Sequence, residues 1–280
     1  MQLKFLAMLI IAMTSISFAS ILIVLANAPG PVTAFWRLTF SILILLAIKP
    51  SFNLKPKLLF YPAIAGFALG IHFASWMESL MHTSVAISTT IVCTHAIFSA
   101  IFSKFLKESV EAKQIIGILI AICGIYFLSG AESDAEFIGV VLALMGAVAG
   151  GVYFTTGRVV RNKMGLHDYM LSTYFFAAIT TLILTISMQL NLFNYKLETW
   201  MFFVLLAILP MLIGHTFLNY ALRHIKVVPV TASVLGEVVG ATLLAYLMLG
   251  QTLQPQAYLY MAIILFGIIL TVKGELTISH

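Results

Sequence analysis

The sequence is poor in charge and in cysteine. Charged residues make up 9% of its 280 residues, whereas about 25% is usual for soluble proteins. So few charges cannot cover a water-facing surface, which excludes a soluble globular protein. The two cysteines, Cys93 and Cys123, lie in apolar runs and form no CxxC pair. We therefore predict neither a disulfide nor a metal site from them.

Long apolar runs fill most of the chain, and hydrophobic residues reach 61%. About 20 apolar residues in a helix cross a bilayer core of about 30 Å. In lipid a helix satisfies its own backbone amides, and these runs are too long for barrel strands. The fold class predicted is an all-α polytopic membrane protein with ten transmembrane helices. The predicted spans are 5–26, 32–48, 58–77, 84–103, 114–130, 137–157, 169–190, 199–221, 227–249 and 256–273.

The first span has some features of a signal peptide. Lys4 precedes it, and Ala26-Asn27-Ala28 has the form of a cleavage site. Its apolar run is longer than the roughly 7–15 residues usual for such a peptide. Removal would also leave nine helices and break the repeat described below, so we predict that the span is retained.

The basic residues are distributed unevenly between the two sets of loops. With the N-terminus inside, 13 of the 15 fall in inner loops, Lys196 alone falls outside, and Arg37 lies within a span. This positive-inside bias predicts that both termini are cytoplasmic in a multi-pass protein of the cell (inner) membrane. The net charge of +5 is then an orientation signal, so we predict a lipid bilayer and no nucleic acid as partner.

The chain repeats itself at about half its length. Residues 76–80 align with 218–222 at an offset of 142, and the stretch beginning at Thr94 aligns with the one beginning at Glu237 at an offset of 143. Each half holds five predicted helices, and an odd number inserts the second copy upside down.

We therefore predict two inverted five-helix repeats, residues 1–130 and 131–280, in one membrane domain. Inverted repeats are typical of secondary transporters, whose substrate sites lie near the midplane where the repeats meet. The alternative is a duplicated structural bundle without transport.

Several motifs resemble those of a known family. Leu106-Lys107-Glu108 and Leu249-Gly250-Gln251 stand where that family has Leu-Gly-Glu at the ends of helices four and nine. Ala34-Phe35-Trp36-Arg37 is similar to its arginine-containing second helix. With the repeat and the loop charges, the chain resembles the ten-helix EamA-type transporters of the drug/metabolite transporter superfamily over residues 5–273.

The resemblance implies two inverted bundles around a central cavity, with helices five and ten at the outside. It implies a substrate among amino acids, nucleotide-linked metabolites, sugars and drugs. Two positions depart from the family pattern: Glu237-Val238 replaces a Glu-Pro pair, and His95 replaces a proline in the first half. These departures leave the substrate open.

Glu237 is the strongest candidate for the substrate site. It lies near the middle of the ninth predicted span, where a charged side chain costs about 2.5 kcal/mol or more. The functional interpretation is a site for a cationic group or a transported proton. The alternative is a structural carboxyl that bonds Ser233, one turn earlier.

His95 and Arg37 are further candidates. His95 occupies the matching depth in the fourth span and could share a proton with Glu237, or else bond Thr94 or a backbone carbonyl. Arg37 could bind a carboxylate or phosphate in the cavity, pair with Glu78, or extend to the headgroups.

His72 and His215 are related by the same offset of 143. Because both repeats have a histidine at this position, we expect both to face the cavity. The alternative is that each bonds a local backbone carbonyl, as a histidine on an apolar face often does. Trp76 and Tyr153 are candidate stacking surfaces, with packing as the default interpretation. Ser233 is also predicted among the substrate-binding residues.

The function predicted is a secondary transporter that moves an amino acid or related small polar solute by alternating access. Proton antiport and facilitated diffusion both remain open. A membrane-embedded enzyme and a passive channel are the alternatives, but the sequence contains no HExxH, GxSxG, Walker motif or channel filter. We predict no enzyme activity, no cofactor, a small-molecule substrate and a functional monomer.

Overall fold

The computed structural model describes residues 2–50, 56–83, 85–128, 136–249 and 255–278. Within these ranges the regular secondary structure is helical throughout, and the helices form ten spans. Nine of them are long and apolar enough to cross a membrane, and the remaining one, Ala112–Leu128, is a shorter apolar helix. The predicted all-α fold is therefore confirmed.

Six spans are continuous. They are the second (Gly30–Ile48), third (Phe60–His82), fifth (Ala112–Leu128), sixth (Phe137–Arg161), seventh (Leu166–Ser187) and tenth (Pro255–Ile278). The third and sixth run several residues further than the sequence predicts, so Glu78 and Arg158 belong to helices rather than to loops.

Four spans are interrupted. They are the first (Gln2–Ile16 and Ala19–Ala26), the fourth (Val85–Cys93 and His95–Phe102), the eighth (Leu197–Leu206, the π-helix Ala207–His215 and Thr216–Ala221) and the ninth (Val227–Val234 and Glu237–Leu249). Pro210 explains the π-helix, because it has no backbone N–H to continue an α-helix.

The breaks in the fourth and ninth spans follow the repeat. One lies at Thr94 and the other at Leu235-Gly236, and the separation of 236 − 94 = 142 residues is within one residue of the offset of 143 that aligns Thr94 with Glu237 in the sequence. Each break places the first residue of a new helix, His95 or Glu237, in the middle of its span.

Close packing brings the third and sixth spans together. A Cβ built on Gly150 would lie 3.0 Å from His72 Nδ1 and 3.2 Å from His95 Cβ, so the absence of a side chain lets the sixth span approach both histidines. The fifth and tenth spans pair with each other, and the ring of Phe127 stacks on Tyr260 at 5.7 Å.

One end of the bundle carries most of the positive charge. We call it the basic end, and it includes Lys49, Lys104, Arg158 and Arg223. Here the Lys4 ammonium lies 5.7 Å from the centre of the Tyr220 ring, which places the start of the first span beside the end of the eighth.

An ion pair joins the two halves at the basic end. Arg158 Nε donates to Glu108 Oε1 at 2.6 Å, and the N–H of Val227 donates to Glu108 Oε2 at 3.2 Å. Arg158 Nη1 also donates to the carbonyl of Leu222 at 2.7 Å. Both oxygens of the Glu108 carboxylate thus accept hydrogen bonds. Arg158 connects the sixth span to the end of the fourth span and to the loop between the eighth and ninth spans.

At the opposite end, Glu78 connects the second and third spans. The N–H of Gly30 donates to Glu78 Oε2 at 2.8 Å, and His82 Nε2 lies 3.6 Å from the other carboxylate oxygen. The alternative that Glu78 pairs with Arg37 is therefore wrong, because the carboxylate is held at the start of the second span, where helix N–H groups favour a negative charge.

Candidate functional site

A narrow cavity lies at the centre of the bundle, beside the breaks in the fourth and ninth spans. Its volume is about 30 Å³, which is room for one or two water molecules. Six residues predicted from the sequence line it: Arg37, His72, Trp76, His95, His215 and Glu237. They come from five spans, so the fold collects side chains that are far apart in the sequence.

Arg37 presents a buried cation to the cavity. The residue is 1% exposed, and its Nε and Nη1 have no hydrogen-bond partner in the structure. The centre of the guanidinium lies 4.1 Å from the centre of the Phe73 ring, so the contact that holds it is a cation–π interaction. Its position in the cavity excludes the alternative that it extends to the headgroups.

Glu237 presents a carboxyl to the same cavity. It is 8% exposed, and Oε1 is buried without a hydrogen-bond partner. As the first residue of the helix Glu237–Leu249, it lies where the helix dipole favours a negative charge. Ser233 does not satisfy it, because the Ser233 hydroxyl donates to the carbonyl of Val230 at 2.7 Å.

His72 is held by a backbone carbonyl behind the cavity wall. Its Nδ1 lies 2.7 Å from the carbonyl oxygen of Gly146. A carbonyl only accepts, so Nδ1 carries the proton and Nε2 of the neutral ring is an acceptor. The ring also stacks on Trp76 at 6.2 Å with an angle of 20° between the planes.

His95 begins the second half of the fourth span. It is 3% exposed, and its Nδ1 has no hydrogen-bond partner. Thr94 does not satisfy it, because the Thr94 hydroxyl donates to the carbonyl of Ile91 at 2.6 Å. The His95 ring lies 6.4 Å from the ring of His72.

His215 ends the π-helix and is held by a second polar pair. Asn219 Nδ2 donates to the Tyr153 hydroxyl at 2.8 Å, and that hydroxyl lies 3.5 Å from His215 Nδ1. Tyr153 is 0% exposed and lies behind the cavity wall. Tyr153 and Ser233 do not belong to the lining of the cavity, so their predicted roles in substrate binding stay predictions.

Apolar and aromatic side chains complete the lining. Phe73, Phe154 and Cys93 belong to it, although nothing in their sequence context distinguishes them from packing residues. Phe73 contacts both Arg37 and His215, because its ring centre lies 4.1 Å from the guanidinium and 5.4 Å from the His215 ring.

The arrangement can bind a molecule with charges of both signs. Arg37 offers donors for an anionic group, and Glu237 offers an acceptor for a cationic group, while the aromatic rings enclose the space between the helices. Half-helices that begin beside such a cavity are typical of transporter substrate sites.

Comparison with known proteins agrees with this architecture. The model of the EamA-like transporter family matches residues 3–130 and again residues 137–273. A protein of Clostridium kluyveri named "uncharacterized transporter" is 24% identical over 84% of this chain and 80% of its own length. One of Archaeoglobus fulgidus with the same name is 20% identical over 70% of each chain.

A solved crystal structure has the same fold. It superposes with a TM-score of 0.80 over 99% of both chains, at 16% sequence identity. At this identity the likeness concerns the arrangement of the helices alone.

Proposed function

Because the chain belongs to the EamA-like transporter family, we propose that it is a secondary transporter for a small zwitterionic solute. An amino acid or a close relative is the lead substrate. The observation that carries the proposal is one cavity that contains a guanidinium and a carboxyl, each with buried atoms that lack a hydrogen-bond partner.

The chemistry of these two groups favours a zwitterion. A guanidinium binds a carboxylate through two parallel hydrogen bonds, and a carboxylate accepts from an ammonium group. A charged side chain without a partner at this depth has a high free-energy cost. A ligand that pairs with both groups at once removes this cost for both. A ligand with only one charge removes it for one.

The narrowness of the cavity supports alternating access. A volume of about 30 Å³ is too small for an amino acid, so substrate enters only when helices separate on one side. The interruptions in the first, fourth, eighth and ninth spans provide places where such movement can occur without loss of regular helix elsewhere.

We further propose that the protein acts as a monomer in the cell (inner) membrane, with the basic end and both termini in the cytoplasm. The 13-to-one distribution of basic residues supports this orientation. The narrow cavity favours a transporter over a passive channel. The cavity's unpaired guanidinium and carboxyl suit binding, and a membrane enzyme remains the alternative to be excluded by the transport assay.

Transport into liposomes that contain the purified protein tests the proposal. Vesicles loaded with one unlabelled amino acid should accumulate the same labelled amino acid by exchange, whereas protein-free vesicles should not. The panel is the set of free L-amino acids, with nucleosides and sugars as comparison solutes. Exchange of no amino acid, or of nucleosides and sugars alone, would contradict the zwitterion proposal.

Proton coupling is decided by Glu237→Gln, which keeps the shape of the side chain but cannot ionise. If Glu237 carries the proton, the variant should fold, lose accumulation driven by a pH difference, and lose most of the pH dependence of substrate binding. A variant that still accumulates substrate at the native rate would favour facilitated diffusion, with Glu237 in a structural role.

A further inference from the structure

The two symmetry-related histidines are held by opposite kinds of partner. The carbonyl of Gly146 accepts from His72 Nδ1 at 2.7 Å, whereas a hydroxyl, that of Tyr153, faces His215 Nδ1 at 3.5 Å. A carbonyl oxygen can only accept, but a phenolic hydroxyl can also donate. The group that faces Nδ1 of each histidine therefore determines which ring nitrogen carries the proton.

Asn219 decides the direction of the Tyr153 hydrogen bond. Its Nδ2 donates to the Tyr153 oxygen at 2.8 Å, so the oxygen is already an acceptor and its own proton is available for His215. Both residues are fully buried, at 0% exposure, which leaves no bulk water to compete. A Tyr153 hydroxyl that donates to His215 Nδ1 places the ring proton on Nε2.

The ring of His215 is also fixed in orientation. It lies parallel to Phe154 at 6.3 Å, with 7° between the planes, and meets the Phe73 ring edge-on at 5.4 Å. His215 lines the cavity, and Nε2 is at the opposite edge of the ring from the Tyr153 contact. Since Tyr153 contacts the Nδ1 edge, the Nε2 edge is the part of the ring that is left to face the cavity that Arg37 also lines.

We propose that Tyr153 and Asn219 are positioning residues that hold His215 as a hydrogen-bond donor toward the anionic group of the substrate, in the cavity that Arg37 also lines. His72 is held as the opposite tautomer and presents an acceptor. One histidine thus offers the cavity a donor and the other an acceptor, although the two occupy matching positions in the sequence repeat. The assignment of the donated group rests on the proposed function, whereas the tautomers are a property of the protein itself.

The tautomers are measured first, by ¹⁵N NMR of protein labelled at histidine, without substrate. His215→Gln and His72→Gln assign the two signals. The expected spectrum has the proton of His215 on Nε2 and that of His72 on Nδ1. Tyr153→Phe should alter the His215 signals and leave those of His72 unchanged.

Tyr169→Phe is the matched control. Tyr169 is as fully buried as Tyr153, and no hydrogen bond joins its hydroxyl to His215 or Asn219 among the described residues. This variant should leave both histidines as they are. A wild-type His215 with its proton on Nδ1, or a Tyr153→Phe variant with unchanged His215 signals, would overturn the proposal.

Ligand selectivity then tests the role of the donor. For the amino acid that binds most tightly, the ratio of its affinity to that of its carboxamide measures recognition of the anionic group. This ratio should fall about tenfold in Tyr153→Phe, in line with one hydrogen bond to a charged group, and should be unchanged in Tyr169→Phe. An unchanged ratio in Tyr153→Phe would contradict the role. If no amino acid binds at all, the proposed function fails, and the NMR result still decides the tautomers.

Discussion

Arg37 and Glu237 line the same cavity, although 237 − 37 = 200 residues separate them in the sequence. Among the residues that the structure describes, no ion pair of 4.0 Å or less includes either of them. A guanidinium and a carboxyl thus face one space without a direct ion pair between them. This is the expected form of a site whose ligand carries both charges.

The predicted orientation is tested by cysteine labelling. Glu132, a natural marker for the outer side, lies outside the described residues, and Arg161 is only 2% exposed. The exposed residues Lys163 and Lys196 are better positions. In a chain with Cys93 and Cys123 replaced, Lys196→Cys should react with an impermeant reagent from outside and Lys163→Cys only after the membrane is opened. Reaction of both from outside would contradict the topology.

The ion pair at the basic end should stabilise the closed bundle. The side chains of Glu108 and Arg158 are 13% and 19% exposed, so removal of either leaves a partly buried charge without its partner. We expect Arg158→Ala and Glu108→Gln each to lower the free energy of unfolding by about 1–3 kcal/mol, measured by denaturation in detergent.

The pair of Glu111 and Lys113 provides the control for that experiment. Its ammonium and carboxylate lie 2.8 Å apart, but the side chains are 32% and 46% exposed. Lys113→Ala should therefore cost less than about 1 kcal/mol. Equal losses in Arg158→Ala and Lys113→Ala would show that the buried pair has no special role.

A methyl group at Gly150 should disturb the cavity wall. Since its Cβ would lie 3.0 Å from His72 Nδ1, either the sixth span or the histidine must move. Gly150→Ala should lower stability by about 1–3 kcal/mol and weaken substrate binding. At Gly165 the nearest atom to a Cβ is an Asp168 carboxylate oxygen at 3.4 Å, an ordinary contact, so Gly165→Ala should leave both quantities nearly unchanged. Native binding in Gly150→Ala would contradict the packing of this wall.

The sequence predicts the spans and the polar lining of the cavity because both depend on hydropathy. A polar side chain in the middle of an apolar run is visible without a structure, and the repeat relates His72 to His215. The partners of these groups are less predictable. Glu78 and Gly30 are 48 residues apart and bond through a side-chain conformation that no sequence pattern specifies.

Three features were not predicted from the sequence, and each has a physical reason. Phe73 resembles any apolar packing residue, so its contact with Arg37 depends on the fold. Asn219 gave a signal, as a polar residue at membrane depth, but its link to Tyr153 needs the geometry of two helices. The π-helix at Pro210 could have been expected, because proline interrupts the hydrogen bonds of a helix.

Binding of one amino acid and two analogues to three proteins tests whether Arg37 and Glu237 recognise the two charges of the substrate. The analogues are its carboxamide, which lacks the negative charge, and its deamino acid, which lacks the positive charge. The proteins are the wild type, Arg37→Gln and Glu237→Gln. We predict that Arg37→Gln loses discrimination against the carboxamide only and that Glu237→Gln loses discrimination against the deamino acid only. Equal discrimination in all three proteins would contradict the assignment of the two charges to these two residues.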